Sequence, residues 1–376
     1  MKILIAPDSF KDSLSAKKVA ESIRRGIIHE LPDADIKMLP LADGGEGTVN
    51  ALVDATHGRT IEVAVVDPLR RKIMAKYGLL GDGRTAVIEM AAASGIELLK
   101  PTERNPWLTT SFGTGQMIRD ALDKGCRKII IGIGGSATND GGVGMAMALG
   151  IKFLTSKGIE TGYGGGELSG IAKINVSELD ERIRDTEVLV ACDVTNPLTG
   201  VRGASQVYGP QKGADQDMVL QLDNNLKHLA GLVKKQLGKD VEDIPGAGAA
   251  GGLGAGLVAF FDARLMKGFE IIRQVTQLDK AVEWADLVIT GEGKIDVQTQ
   301  YGKTPMGVAG VAKKYDKPVI ALAGTLGEGY QELYSLGFDA IVSILDKPVT
   351  LNEALINAPH LLERCARSAI RLFLLK

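Results

Sequence analysis

Carboxylates and hydroxyls recur beside glycine in four short stretches of this chain: DGGEGT (43–48), GIGGSATNDGGVG (132–144), GAGAAGGLGAG (246–256) and TGEGKID (290–296). Glycine lacks a Cβ, so its N–H groups can turn inward and approach an anion closely. Beside Asp, Glu, Ser and Lys, that is equipment for holding phosphate and a divalent metal. DGGEGT puts Asp43 and Glu46 on a turn at the end of an apolar run. Hard cations such as Mg2+ take carboxylate oxygens together with substrate phosphates. The plainer alternative is a glycine turn that caps the next helix. Asp193 ends the run VLVAC, and Glu292 and Asp296 flank the turn after LVIT, so the pattern repeats. In GGSATNDGG the backbone amides, the Ser136 and Thr138 hydroxyls and the dipole of a following helix favour a phosphate or carboxylate ligand. A purely structural elbow is the alternative there. Lys11 and Lys303 stand in loops just after strands and offer point charges to phosphates, unless each is a solvated surface lysine.

Other chemistries are excluded or weakened. GAGAAG (246–251) has the GxGxxG form, but a dinucleotide site needs a strand immediately before it. Here KDVEDIP precedes it, charged and ending in proline. Close helix packing and a backbone anion cradle remain open for Gly251 and Gly252. Gly302-Lys303-Thr304 lacks the first glycine of a P-loop, because position 297 is Val297. There is no GxSxG elbow, and His29, His57, His228 and His360 show no metal-ligand spacing.

The bulk numbers agree. Glycine accounts for 47 of 376 residues without a collagen period, and 45% of residues are hydrophobic, which describes a glycine-looped globular enzyme. A net charge of -2 with 5% aromatics removes the footprint of a nucleic-acid binder. Cys126, Cys192 and Cys365 are dispersed with no CxxC, as suits a reducing compartment. Cys192 and Cys365 read as small core residues. The N-terminus is too briefly apolar for a signal peptide, and no run reaches the ~18 apolar residues of a membrane span. A cytoplasmic location is expected.

The elements that must position these groups read as strand, loop and helix. A strand at 2–6 leads to a helix capped by Ser13 or Ser15 and running to about 29. A second strand at 36–41 ends in DGGEGT, with a helix at 48–56. Parallel α/β sheets are built this way, with ligands beyond the carboxyl ends of the strands. From 60 to 89 the turn signals predict antiparallel hairpins, marking a domain boundary. A helix at 115–124, a strand at 128–132, a helix at 144–149 and a strand at 187–192 follow. A long helix at 217–237 carries Leu220, Leu222, Leu226, Leu229, Leu232 and Val233. After a helix at 257–263, the strand at 286–290 with its loop, the helix at 308–314 and the strand at 318–323 form another parallel unit. The chain ends in a strand at 340–345 and a helix at 353–375.

Together the motifs resemble the type-1 glycerate kinase family. The likeness runs through APDSFKDSLSA (6–16), LADGGEGT (41–48), AVIEMAAASG (86–95), GIGGSATNDGG (132–142), ACDVTNPL (191–198), GPQKGA (209–214), GAGAAGGLGAG and LVITGEGKIDVQTQYGK (287–303). The resemblance implies ATP-dependent phosphorylation of D-glycerate to 2-phosphoglycerate, with Mg2+. It implies two α/β domains: a discontinuous, parallel, flavodoxin-like three-layer domain (1–60 plus 285–376) and an inserted mixed-sheet domain (61–284), with the active site in the cleft between them. One departure is Gln116, where relatives often carry an acid, so it receives no role.

For phosphoryl transfer, which asks for positioning, a metal, charge stabilisation and a proton acceptor, catalytic roles are expected for Asp43, Asp193 and Lys11. Asp43, Glu46, Asp193 and Asp296 are expected at the metal. Asp8, Ser9, Gly44, Gly45, Gly134, Gly135, Ser136, Thr138, Asn139, Asp140, Asn196, Gly251, Gly252, Glu292, Gly293 and Lys303 are expected to bind substrate or nucleotide. The partners are small molecules, with no nucleic acid and no membrane; homo-oligomerisation stays open. 3-Phosphoglycerate is the alternative product. A NAD-dependent hydroxy-acid dehydrogenase is a distant second activity, and a non-catalytic sugar-acid binding protein a third reading.

Overall fold

The computed structural model describes residues 1–42 and 47–375, so Asp43, Gly44, Gly45 and Glu46 lie outside the described residues. The chain divides into two units, Met1–His57 with Phe269–Lys376, and Gly58–Gly268. The return to the first unit falls at 269, ahead of the 285 expected from sequence, and the helix Leu278–Trp284 packs there against the strand Lys2–Ile5.

In the first unit five parallel strands lie in the order Ala340–Ser343, Val319–Leu326, Leu287–Ile295, Lys2–Ile5, Asp35–Met38. The central runs ILI, LVIT and VIALA are apolar without alternation because both faces of the sheet are covered. Ile3, Ile5, Leu287, Ile289, Ile320 and Leu322 share a core with Val19, Ile23, Ile27, Leu362, Ala366 and Ile370 from the helices Ala16–Glu30 and Leu351–Phe373. Leu4, Val288 and Ala321 alternate to the other face, where Leu278–Trp284 and Thr304–Lys314 pack. Both long helices start on side-chain caps. Ser15 accepts from Lys18 N, and Thr350 and Glu353 form a reciprocal capping box.

These two helices meet at Gly26, where a Cβ would lie 2.3 Å from the Glu363 carbonyl oxygen and 2.9 Å from Ala366 Cβ. Gly26→Ala is therefore expected to lower stability by about 1–3 kcal/mol through overpacking, despite alanine's higher helix propensity. Thermal unfolding of the variant checks this, and an unchanged midpoint would place the helix contact elsewhere.

In the second unit six strands run in the order Arg264–Met266, Glu187–Ala191, Lys128–Gly132, Thr85–Glu89, Lys72–Leu79, Arg59–Val66. The first four are parallel to one another and Lys72–Leu79 pairs antiparallel with the neighbours on both its sides, so the sheet is mixed and the hairpins expected from 60 to 89 are present. Helix Gln216–Leu237 starts on Asp215, whose carboxylate accepts from Met218 N, and stops at Gly238 with φ +71°. Its buried stripe is Val219, Leu222, Leu226, Leu229, Ala230 and Val233. Leu220, expected on that stripe, is 56% exposed, one position off the inward face.

Helix Ala249–Phe261 begins well before the expected 257, and Ala250, Gly251 and Gly252 all take left-handed dihedrals inside it. No strand precedes it, which removes the dinucleotide reading. Cys126 and Cys365 are buried in the cores of their respective units, and Cys192 packs against the margin of the first of these. Among the described residues no helix is long and apolar enough to cross a membrane.

Candidate active site

In the first unit the strand order reverses between Lys2–Ile5 and Leu287–Ile295, and ligands of open α/β sheets sit outside the carboxyl ends of strands at such a point. Asp8 stands there. Its amide donates to the Gly291 carbonyl at 2.8 Å, and its Oδ2 accepts from Thr304 Oγ1 at 2.6 Å, tying it to the first residue of the helix Thr304–Lys314. The Ser9 amide donates to Asp8 Oδ1 at 2.6 Å.

Beside them Glu292 accepts from Thr299 Oγ1 at 2.7 Å, with Lys303 Nζ 3.4 Å from its Oε2. Burial pushes Glu292 up to about 7, against the pull of the Thr299 hydroxyl and the Lys303 ammonium. The sequence read TGEGKID as a loop, but the strand continues to Ile295, with Glu292 opposite Ala323 and Lys294 opposite Thr325. Gly293 runs alongside the backbone of Phe10 and Lys11, and the Lys11 side chain is exposed. Asp296 was expected at a metal. It instead caps the turn Val297–Gln300, accepting from Gln298 N at 3.0 Å, and pairs with Lys294 at 2.9 Å. We assign it the cap.

In the second unit the GGSATNDGG loop leaves the strand Lys128–Gly132 with Gly134 and Gly135 exposed and Ser136 to Asp140 buried. The loop is anchored on both sides. Ile96 N donates to the Gly135 carbonyl at 2.8 Å, Ala137 N to the Ser94 carbonyl at 2.9 Å, and Thr109 Oγ1 to the Ala137 carbonyl at 2.8 Å. The helix it opens, Val143–Ala148, was expected to offer its N-terminus to an anion. Its amides are already taken. Asp140 accepts from Gly142 N at 3.2 Å, Gly144 N at 3.3 Å, Ser111 N at 2.7 Å and Ser111 Oγ at 2.9 Å. Asp140 is thus the loop's internal anion rather than a ligand-binding group. Its burial pushes the carboxyl above its ordinary range, against those donors.

The second glycine run is spent on packing. A Cβ on Gly251 would fall 1.9 Å from the Thr138 carbonyl, and one on Gly252 3.0 Å from Gly141 Cα. Both residues are buried, so protein backbone occupies the space once allotted to phosphate.

Asn139 Nδ2 donates to Ser205 Oγ at 3.0 Å, while Asn139 Oδ1 and Thr138 Oγ1 are buried with no partner among the described residues. Asp193 is exposed just past the strand Glu187–Ala191, where its Oδ1 accepts from Gly268 N at 3.1 Å. Asn196, expected to orient substrate, donates to the Arg202 carbonyl and accepts from Tyr208 Oη, both at 2.8 Å. Those contacts hold its own loop. Gln116 accepts from Val66 N at 2.8 Å, a contact with the edge strand.

One residue beneath the loop was missed by sequence reasoning. Lys212 is 1% exposed, and its Nζ donates to Ser136 Oγ at 2.8 Å and to the Thr138 carbonyl at 2.7 Å. Burial pushes it down to about 7, opposed by Asp140. The available signal was a lysine set between glycines in GPQKGA.

Residues 3–374 match the glycerate kinase family. The chain belongs to that family. It is 54% identical to a glycerate kinase of Bacillus subtilis over 98% of this chain and 96% of that protein. It is 52% identical to a glycerate 2-kinase of Escherichia coli over 98% and 97%. The crystal structure of a putative glycerate kinase 2 from Salmonella typhimurium LT2 superimposes with a TM-score of 0.92 at 51% identity, covering 99% of this chain and 98% of that one. Membership of the glycerate kinase family makes the protein a phosphotransferase and implies ATP as co-substrate. Among the described residues no three His, Cys, Asp or Glu side chains converge as a resident metal would require. A magnesium ion carried by nucleotide phosphates asks for only one or two protein carboxylates.

Proposed function

We propose that the protein transfers the γ-phosphoryl group of ATP, entering as its magnesium complex, to the 2-hydroxyl of D-glycerate, giving 2-phosphoglycerate and ADP. The observation that carries this reading is the end-to-end likeness, at about half identity, to glycerate kinases and a glycerate 2-kinase. The glycerate oxygen forms its bond to γ-phosphorus as the bond to the β-bridging oxygen breaks, and the hydroxyl proton passes to a carboxylate. The chain supplies positioning and charge rather than covalent chemistry. The exposed amides of Gly134 and Gly135 and the Ser136 hydroxyl receive an oxyanion. Lys11 and Lys303 face phosphate oxygens. Asp193, exposed just past its strand, is the carboxylate that serves the hydroxyl proton or the magnesium of the nucleotide.

The test is ADP release dependent on D-glycerate, with NMR identification of the product. Phosphorus on the 3-hydroxyl would correct the regiochemistry. Absence of glycerate-dependent ADP release would sink the reading. Asp193→Asn is expected to lower kcat by roughly 100-fold or more, the scale of one positioned acid–base group. Near-wild-type turnover with unchanged magnesium dependence would remove Asp193 from the reaction.

A further inference from the structure

An ammonium group as deeply buried as Lys212 is costly unless its donors are used. Of its three N–H donors, two are placed, on Ser136 Oγ and the Thr138 carbonyl. Ser136 therefore accepts, and its own hydroxyl proton has no acceptor among the described residues. Ser136, itself 7% exposed, directly follows the exposed Gly134–Gly135 pair in the chain. Thr138 Oγ1 and Asn139 Oδ1 are likewise buried without partners in the same loop. Asp140 is the charged group that acts on the ammonium, and its oxygens are already engaged by Ser111, Gly142 and Gly144.

We propose that Lys212 is a positioning residue for a substrate oxyanion: it holds Ser136 as an acceptor, so that the hydroxyl proton points to the anion, and it sets a positive charge beneath the loop. The anion is a carboxylate or a phosphate, and the inference rests on the kinase reading above. Loss of one proton from Lys212 leaves an amine with two N–H donors, enough to keep both contacts and the loop's geometry. What disappears is the charge. The lysine titrates near 7, within the working range of a kinase, so anion affinity weakens as pH rises without the loop coming apart.

The test uses the full chain. Initial rates of ADP release are measured against D-glycerate and against MgATP from pH 6 to 9. The KM of one substrate is expected to climb above pH 7, approaching tenfold per pH unit, with kcat moving less. A glycerate KM that climbs identifies the carboxylate, and an ATP KM the phosphates. Lys212→Met is expected to raise the same KM by about ten- to a hundredfold at pH 6.5 and to flatten its pH profile. Ser136→Ala raises that KM too, and Lys212→Arg flattens the profile while restoring affinity at high pH.

Stability moves the other way. A lysine at 10.5 when unfolded and about 7 when folded makes the folded state gain stability between those pH values, so a merely structural lysine would not mimic the kinetics. Flat KM values from pH 6 to 9 in the wild type, or wild-type KM values in a folded Lys212→Met, overturn the proposal. Should the wild type show no glycerate-dependent ADP release, the function fails separately. Calorimetry with inorganic sulfate, whose charge is constant over this range, then decides: binding about tenfold tighter at pH 6.5 than at 8.5 in wild type only supports Lys212, and equal binding refutes it.

Discussion

Gly251→Ala is expected to disable the protein. Its φ of +66° sits in the left-handed region, which costs an alanine about 1–2 kcal/mol. The new Cβ would lie 1.9 Å from the Thr138 carbonyl oxygen and 2.6 Å from Asn139 Cα, atoms of the backbone that no rotamer change can move aside. Overpacking of that kind adds about 1–3 kcal/mol. The Gly251 carbonyl also accepts from Gly141 N at 3.0 Å, so relief by moving either strand of contact breaks the other. Together these predict a loss of about 3 kcal/mol or more, with the loop carrying Ser136 displaced and phosphoryl transfer lost even in material that folds. Gly310→Ala is the control. Nothing lies within 4 Å of its Cβ position on the helix Thr304–Lys314, so that change is expected to be neutral or to stabilise by up to about 1 kcal/mol. Paired thermal unfolding and turnover measurements check both, and a stable, active Gly251→Ala would show that the two glycine runs do not dock.

Glu292→Gln is expected to change how stability depends on pH. The carboxyl titrates at 4.5 when free and at about 7 when folded, because burial raises it more than Thr299 and Lys303 lower it. The folded state therefore keeps a proton that the unfolded state has lost between those values. The stability this contributes is complete below 4.5 and drains away as pH rises through 7, up to about 3 kcal/mol. Glutamine keeps an acceptor for Thr299 Oγ1 and never ionises, so the variant's thermal midpoint should pull ahead of wild type from pH 5 to pH 8. Midpoint curves that stay parallel over that range would mean that Glu292 is ionised throughout.

Where local pattern dictates structure, the sequence was legible. Continuous apolar runs at 2–6 and 286–290 gave parallel strands, Ser15 gave a cap, and Asp67-Pro68 with Gly81-Asp82-Gly83 gave hairpins. What it concealed depends on partners distant in the chain. Gly291 and Gly293 look like a loop, yet they belong to a strand because Val319–Leu326 pairs with them as far as Leu326. Gly254 and Gly256 are poor helix formers, yet they are helical because only a residue without a Cβ fits against the Gly246 and Gly141 carbonyls. The inward placing of Asp140, expected at a ligand, and of Lys212, given no role, was hidden for one reason. A carboxylate or ammonium beside glycine looks solvent-facing, and only the fold reveals that each points inward to satisfy the backbone of the same loop. Ser136 and Asp8 stand just past strand ends as the sequence indicated, Glu292 lies inside its strand, and Thr304 and Thr299 are the unforeseen partners of Asp8 and Glu292.

The placing of the three cysteines has a chemical consequence. Burial raises all three thiols above their ordinary range, Cys365 to about 12, so at neutral pH scarcely any thiolate exists to attack an alkylating reagent or a peroxide. Cys126 and Cys365 lie in the cores of their units, while Cys192, at the margin of its core, directly precedes Asp193. Turnover should accordingly outlast treatment with iodoacetamide at neutral pH, and its loss on alkylation would show that one of the thiols ionises more readily than its burial allows.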